Sequence, residues 1–328
     1  VIITTKRGKT KKAQVVLDAY TGFSEVWNTL KVMNGEQYRD LMTEMGQNTD
    51  WNRYNKNTDW QNEVFQRGVS QNFQISISGN SEQTNYYVSG GWVEQVGAVR
   101  SSKMDRANFK INLDQNVNDW LSVGTRIAFT KYSDTDVNDN NAVNQGGGLT
   151  GVINTPSVIG IYNEDGTFTS NPFQNWENPI ASTDGSEREF NSQRFLGNMF
   201  AKITFLNDLT FKSSFGVDFN HGVYDYFLDP FRTSFGIAKK GIGTNNTDKS
   251  SYWMVENTLN YTKNIGSHNF EALAGTVSEK FRWENSNITK ENFSGDGVQT
   301  TNGGSKIVIA NNTKAEKTNS AFLSRINY

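Results

Sequence analysis

The chain has 328 residues, with 32 Lys and Arg against 34 Asp and Glu, a net charge of −2 and a mean hydropathy of −0.64. The absence of a basic block argues against nucleic acid as a partner, and the absence of cysteine excludes a disulfide scaffold and thiolate metal sites. No apolar run approaches the ~18–20 residues that a membrane helix needs, but that excludes only helical spans, because a strand that alternates wet and dry residues averages to a polar hydropathy.

The chain opens on Val1-Ile2-Ile3-Thr4-Thr5, already strand-like and without a signal peptide, and stops at Tyr328 inside an alternating run, so it is expected to be an internal piece of a longer protein. Ten strands are predicted, at about 13–24, 70–79, 84–95, 104–116, 121–133, 192–206, 209–223, 251–263, 268–283 and 316–328. Between the first two, the run from Asn34 to Met42 reads as a short capped helix with Tyr38, Leu41, Met42 and Met45 on one stripe. The alternation is plainest from Arg106 to Phe129. Ala107, Phe109, Ile111 and Leu113 share one face while Asn108, Lys110, Asn112 and Asp114 share the other. After a turn at Asn118-Asp119-Trp120, Leu121, Val123, Thr125, Ile127 and Phe129 continue the dry face. The pattern returns from Leu209 to Asn220. Over these three strands the dry face carries no charge and the wet face carries Lys110, Asp114, Arg126, Lys212 and Asp218. A soluble sandwich with its dry faces turned inward would give the same pattern.

The connections favour a different reading. The links after the even-numbered strands are short, centred on Ser81–Gln83, Asn118–Asp119, Asn207–Asp208 and Asn264–Ser267, and rich in the residues that suit tight hairpins. Those after the odd-numbered strands run from about Val26 to Val69, Val96 to Lys103, Asp134 to Asn191, Tyr224 to Ser250 and Glu284 to Ala315, and four of them are long. In an up-and-down meander this places trimmed turns at one end and large loops at the other, the asymmetry of outer-membrane β-barrels with short periplasmic turns and longer extracellular loops. Most strands also reach the ~9–11 residues that a tilted span of a bilayer needs. Aromatic residues near strand ends, among them Tyr20, Phe23, Trp92, Trp120, Tyr132, Tyr252, Trp253, Tyr261, Phe281 and Trp283, suit the two interfacial girdles of such a barrel.

Chemistry-bearing motifs are sparse. His221 and His268 lie far apart with no nucleophile arranged beside them, so neither a triad nor a zinc site is expected. Asp134-x-Asp136-x-Asn138-Asp139-Asn140 begins like a calcium loop, but Asp139 stands where Gly should be and Gln145 where Glu should be. Gly146-Gly147-Gly148 and Gly241-x-Gly243 lack the Gly-Lys-Ser/Thr and the strong following helix of a phosphate loop. No cofactor or metal is expected. Trp51, Trp60, Tyr162, Phe173 and Trp176 stand in the long links among polar amides and are the candidate substrate contacts, since flat aromatic walls with a few polar groups bind small molecules. Packing of the loops on one another is the competing explanation.

Val1-Ile2-Ile3-Thr4-Thr5-Lys6-Arg7-Gly8 resembles the last strand of the plug domain in TonB-dependent outer-membrane transporters, in their SusC/RagA-like branch. Asp59-Trp60-Gln61, the hairpin from Ile75-Ser76-Ile77-Ser78-Gly79 to Tyr86-Tyr87-Val88-Ser89-Gly90-Gly91, Asn112-Leu113-Asp114 with Trp120-Leu121-Ser122-Val123-Gly124, and Asn178-Pro179-Ile180-Ala181 are similar to the same branch. The resemblance implies that residues 1–12 close the plug and that 13–328 form part of an all-β, antiparallel up-and-down transmembrane barrel of about 22 strands. It also implies a bacterial outer-membrane importer without covalent chemistry. Its partners would be a SusD-like surface lipoprotein, TonB through an upstream segment, lipid, and an oligosaccharide or peptide substrate. Siderophore or cobalamin import, a passive porin and a secreted carbohydrate-binding β-sandwich are the alternatives.

Overall fold

Ten strands form, as predicted: β1 (Gln14–Ser24), β2 (Gly68–Asn80), β3 (Thr84–Val96), β4 (Lys103–Asn116), β5 (Leu121–Thr135), β6 (Ser186–Phe205), β7 (Leu209–Leu228), β8 (Ile242–Ile265), β9 (His268–Phe293) and β10 (Gly304–Asn327). They are seen in a computed structural model that describes residues 12–135, 137, 148–174, 177–206 and 208–328. The plug-like opening at Val1–Gly8 lies outside the described residues. All ten strands pair antiparallel in one sheet, in the order of the sequence.

The register puts the alternation to work. Ile77 faces Val88, Val88 faces Ile111, Ile111 faces Ile127, Ile127 faces Gly197, Gly197 faces Val217 and Val217 faces Trp253, so the dry residues of seven strands form one continuous row. A parallel ladder is wholly aromatic: Phe109, Phe129, Phe195 and Phe219 face one another across four strands. Among the described residues no second layer covers this face. Ile75 is 49% exposed, Met199 55% and Phe215 46%. Burial is what would make such side chains favourable in water, and a sandwich would supply it from a facing sheet. The single layer does not fit the sandwich alternative, and the apolar face is left as an exposed surface.

The links keep their predicted asymmetry. At one end the turns occupy residues 81–83, 117–120, 206–208 and 266–267, with Gly266 taking the left-handed conformation at φ 63°. At the other end the links span 25–67, 97–102, 136–185, 229–241 and 294–303. The last three of these are shorter than the sequence pattern indicates, the final two most of all, because β6 to β10 run on past the predicted strand ends at the long-link end. The reason is local. Once both faces of a strand meet water the period-2 signal fades, yet the backbone ladder continues. In that region Asn285 donates from Nδ2 to Asn246 Oδ1 (2.8 Å) and Asp248 Oδ1 (2.9 Å), a polar ladder that no hydrophobic pattern marks.

Helix α1 (Gly35–Glu44) forms where predicted. Asn34 Oδ1 accepts the Gln37 N–H (2.9 Å) and Gln37 Oε1 accepts the Asn34 N–H (3.1 Å), a reciprocal capping box. Tyr38 and Met42 point into packed structure, whereas Leu41 and Met45 are exposed, so the buried stripe is narrower than expected.

Candidate functional site

Two surfaces could act on a solute. The first is the wet face of the sheet. Lys110, Asn112, Arg126, Leu196, Asp218 and Tyr252 line a hollow of about 360 Å³ on it. Arg126 pairs with Asp114 (2.5 Å), and Arg194 forms a fork with Asp218 (Nη2 to Oδ2 2.6 Å, Nε to Oδ1 3.0 Å). Glu279 accepts from the Tyr252 hydroxyl (2.6 Å) and from Asn319 Nδ2 (2.6 Å), which ties β8, β9 and β10 together on this face. Lys110, Arg126, Lys212 and Asp218 thus share the face assigned to them by alternation, and three of them border the hollow. Phe200 lies beneath two cations, with Lys212 Nζ 5.2 Å and Arg126 Cζ 5.9 Å from its ring centre. Its ring occupies the space over Gly124, where any Cβ would collide with it. Gly124→Ala is expected to destabilise the sheet by about 1–3 kcal/mol through this overpacking, checked by equilibrium unfolding of the full-length protein from lipid vesicles.

The second surface is built by the outer links. Apolar residues of the outer links collect here. The core comprises Tyr38, Trp60, Val64, Val152, Val158, Ile159, Phe168, Ile180 and Ala181. It is framed by α1, α2 (Trp60–Val64), α3 (Gly148–Asn154) and α4 (Pro179–Asp184). Helix α2 is capped by Asp59 (Oδ1 to Asn62 N, 3.2 Å). Gln61 grips the main chain of Leu30 twice, accepting its N–H (2.8 Å) and donating to its C=O (2.7 Å). Helix α4 has Asn178 as N-cap and Pro179 at its first position, the favoured arrangement for a helix start. Asn178 is 1% exposed. Its Oδ1 accepts from Ile180 N (3.0 Å) and Ala181 N (3.3 Å), and its Nδ2 donates to Ile161 O (2.8 Å). At the far end of α4, Asp184 pairs with Arg100 from the β3–β4 link (2.9 Å).

The candidate substrate contacts divide sharply. Trp60 is 3% exposed and donates from Nε1 to Pro156 O (3.1 Å), so it is a packing residue with no face free for a ligand. Trp51 stacks on Phe173 (6.0 Å), with Tyr38 and Tyr54 edge-on around the Phe173 ring. This is contact between the β1–β2 and β5–β6 links; Tyr38 is buried, while Trp51, Tyr54 and Phe173 keep part of their surface open. Burial pushes the Tyr38 phenol pKa up. Tyr162 is stacked on Phe168 (5.3 Å) and is 51% exposed. Trp176 lies outside the described residues, as do Asp136 and Asn138 to Gln145 of the calcium-like run. A short helix, α3, begins at Gly148, and Leu149-Thr150 follow where a phosphate loop needs Lys-Ser/Thr. His221 stands within β7, while His268 opens β9 with its Nδ1 2.6 Å from the Tyr328 hydroxyl.

Sequence reasoning passed over Glu177 and Arg232, which both lie in the outer links. The Asn178-Pro179 pair was the available signal, since a capping Asn followed by Pro marks a helix start.

No protein-family model matches the chain. It is 28% identical over 292 residues to the TonB-dependent receptor P3 of Formosa agariphila, a match that covers 87% of this chain and 28% of that protein. It is 28% identical over 307 residues to the TonB-dependent receptor SusC of Bacteroides thetaiotaomicron, covering 86% of this chain and 30% of that one. Among solved structures it superposes on a chain of the RagAB peptide importer in its closed-closed state with a TM-score of 0.77 and 20% identity, over 99% of this chain and 41% of the other. The chain therefore spans under a third of the length of these two curated relatives.

Proposed function

We infer that this chain is a stretch of a SusC/RagA-like TonB-dependent transporter, and that in the whole protein it serves energised import across the bacterial outer membrane. The observation that carries the reading is the single-layered sheet with an exposed apolar face and links sorted into a trimmed end and an elaborated end. The curated relatives named as TonB-dependent receptors support it. Residues 1–12 would end the plug and 13–328 would be part of the barrel. Strands β1 and β10 are the open edges of the sheet, and in lipid each unpaired polar group costs several kcal/mol; further strands of the same polypeptide would pair them. The charged wet face would line the lumen and the outer links its mouth. The role there is binding and passage, and the reading assigns no covalent chemistry to any side chain.

The cargo would be an oligosaccharide, as the family resemblance implies, or a peptide, as for the solved peptide importer. The partners would be a SusD-like surface lipoprotein and TonB, the latter through an upstream segment. Tyr162 and the open edges of Trp51 and Phe173 are the contacts we assign to the cargo. Cells carrying the full-length protein should take up a labelled oligosaccharide or peptide only while the proton-motive force is intact. Uptake that survives its collapse would indicate a passive porin, and uptake confined to ferric chelates or cobalamin a different importer. Tyr162→Ala should raise the half-saturating cargo concentration about three- to tenfold with unchanged protein stability, read by uptake titration.

A further inference from the structure

The β7–β8 link carries a short helix, α5 (Ser234–Lys239), that lies against the loop body beside α4. The contact runs through Glu177, which is 7% exposed. Its Oε2 accepts the Phe235 N–H (3.1 Å) and its Oε1 accepts the N–H of Asn178 (3.2 Å). Buried carboxylates are ordinarily matched by a cation, and among the described residues none is paired with Glu177: the charged groups on the neighbouring elements are engaged elsewhere or, like Lys240 at the end of α5, exposed. On α4, Asp184 is paired with Arg100. Ahead of α5, Arg232 donates to Asp184 O (3.2 Å) and lies 5.0 Å over the Phe168 ring. Asp229 accepts the N–H groups of Phe231 (2.7 Å) and Arg232 (3.1 Å). At the end of α5, Lys239 is paired with Glu291 (3.1 Å). Helix α3, whose Gly151 lies near the Glu177 carbonyl, has no ionisable side chain.

We infer that Glu177 is a proton-sensitive latch, a buried carboxylate without a counter-ion that clasps the first turn of α5 and holds the β7–β8 link onto the loop body. One main-chain hydrogen bond, Asp229 N to Gly185 O (3.3 Å), and the Arg232 guanidinium donating to Asp184 O anchor the start of the link. At its far end α5 is held by Lys239 on Glu291 and by Phe293 N donating to Lys240 O (2.6 Å), and Glu177 is what secures its first turn. Burial raises the Glu177 pKa above its ordinary value of 4.5, and the N–H and hydroxyl groups of Phe235, Asn178 and Ser234 offset this only in part. The sign follows from linkage. A raised pKa means that the latched state holds its proton more tightly than the released state. The latch is therefore firmest below about pH 4.5 and loosens as pH rises through the raised value. The inference concerns the mechanics of the mouth and stands whatever the cargo is.

The test is amide hydrogen exchange on the full-length protein in lipid, corrected for the intrinsic pH dependence of exchange. In the wild type, protection of residues 233–240 should fall from acidic to neutral pH. Glu177→Gln should abolish that dependence. Glu177→Ala should speed exchange of the segment about tenfold at both pH values, with the peptide around Trp60 unchanged. The inference is overturned if wild type and Glu177→Gln share one pH response, if Glu177→Ala leaves 233–240 protected, or if it loosens the Trp60 region equally.

Discussion

Asn178→Ala is expected to destabilise the outer loop body by about 2–4 kcal/mol, combining a lost N-cap with buried N–H groups left unpaired. Asn178 uses both ends of its amide. Its oxygen starts α4, and its nitrogen reaches back to Ile161 O and to Thr169. That double use yields a sharper comparison. At an ordinary helix start Asp caps as well as Asn. Here Asn178→Asp would set a carboxylate against the Ile161 and Thr169 carbonyl oxygens, next to the already buried Glu177. It should therefore cost at least as much as Ala. Native-state hydrogen exchange over residues 148–185 of the full-length protein measures both. An Asp variant as protected as wild type would reduce Asn178 to a plain cap.

Val217→Arg is expected to cost about 2–4 kcal/mol, the penalty of a cation at the lipid midplane of a barrel. Val217 sits near the middle of β7 and next to last in the dry row, between Gly197 and Trp253. Leu196→Arg is its control. Leu196 is as apolar, but it faces Asp218 across β6 and β7 and borders the charged hollow. An Arg there gains a carboxylate neighbour and should change stability by less than about 1 kcal/mol. Equilibrium unfolding from lipid vesicles distinguishes the two. If Leu196→Arg proved the costlier, the two faces of the sheet would have been assigned the wrong way round.

Much of the architecture is legible without coordinates, and the reason is the short range of the signals. Phe109, Ile111, Ile127 and Val217 declare their face by a period of two, and the Asn-, Asp- and Gly-rich turns declare where a strand reverses. Strand number, order, wet and dry faces and the sorting of links all follow. Where the local signal ends, the reading stops. The stretch from Thr244 to Asp248 is strand although nothing alternates there, because its pairing is set by neighbours already in register and by amide ladders such as Asn285 with Asn246 and Asp248.

The outer loops lie beyond any local pattern. An exposed Trp and a buried one look alike in a polar loop, so Trp51, Trp60 and Tyr162 were indistinguishable as cargo contacts. Their fates diverge through contacts that span a large part of the chain: Trp60 with Pro156, Thr58 with Ile159, Glu177 with Phe235. Residues alone thus settle that this protein makes one long meandering sheet with a greasy side and a charged side, since side-chain alternation and turn chemistry act between near neighbours. Folding in three dimensions settles which loop residues are buried, that Asn178 and Glu177 are the joints of the outer body, and which rings stay open to a solute. Those outcomes depend on which distant segments come to share a space too small for water.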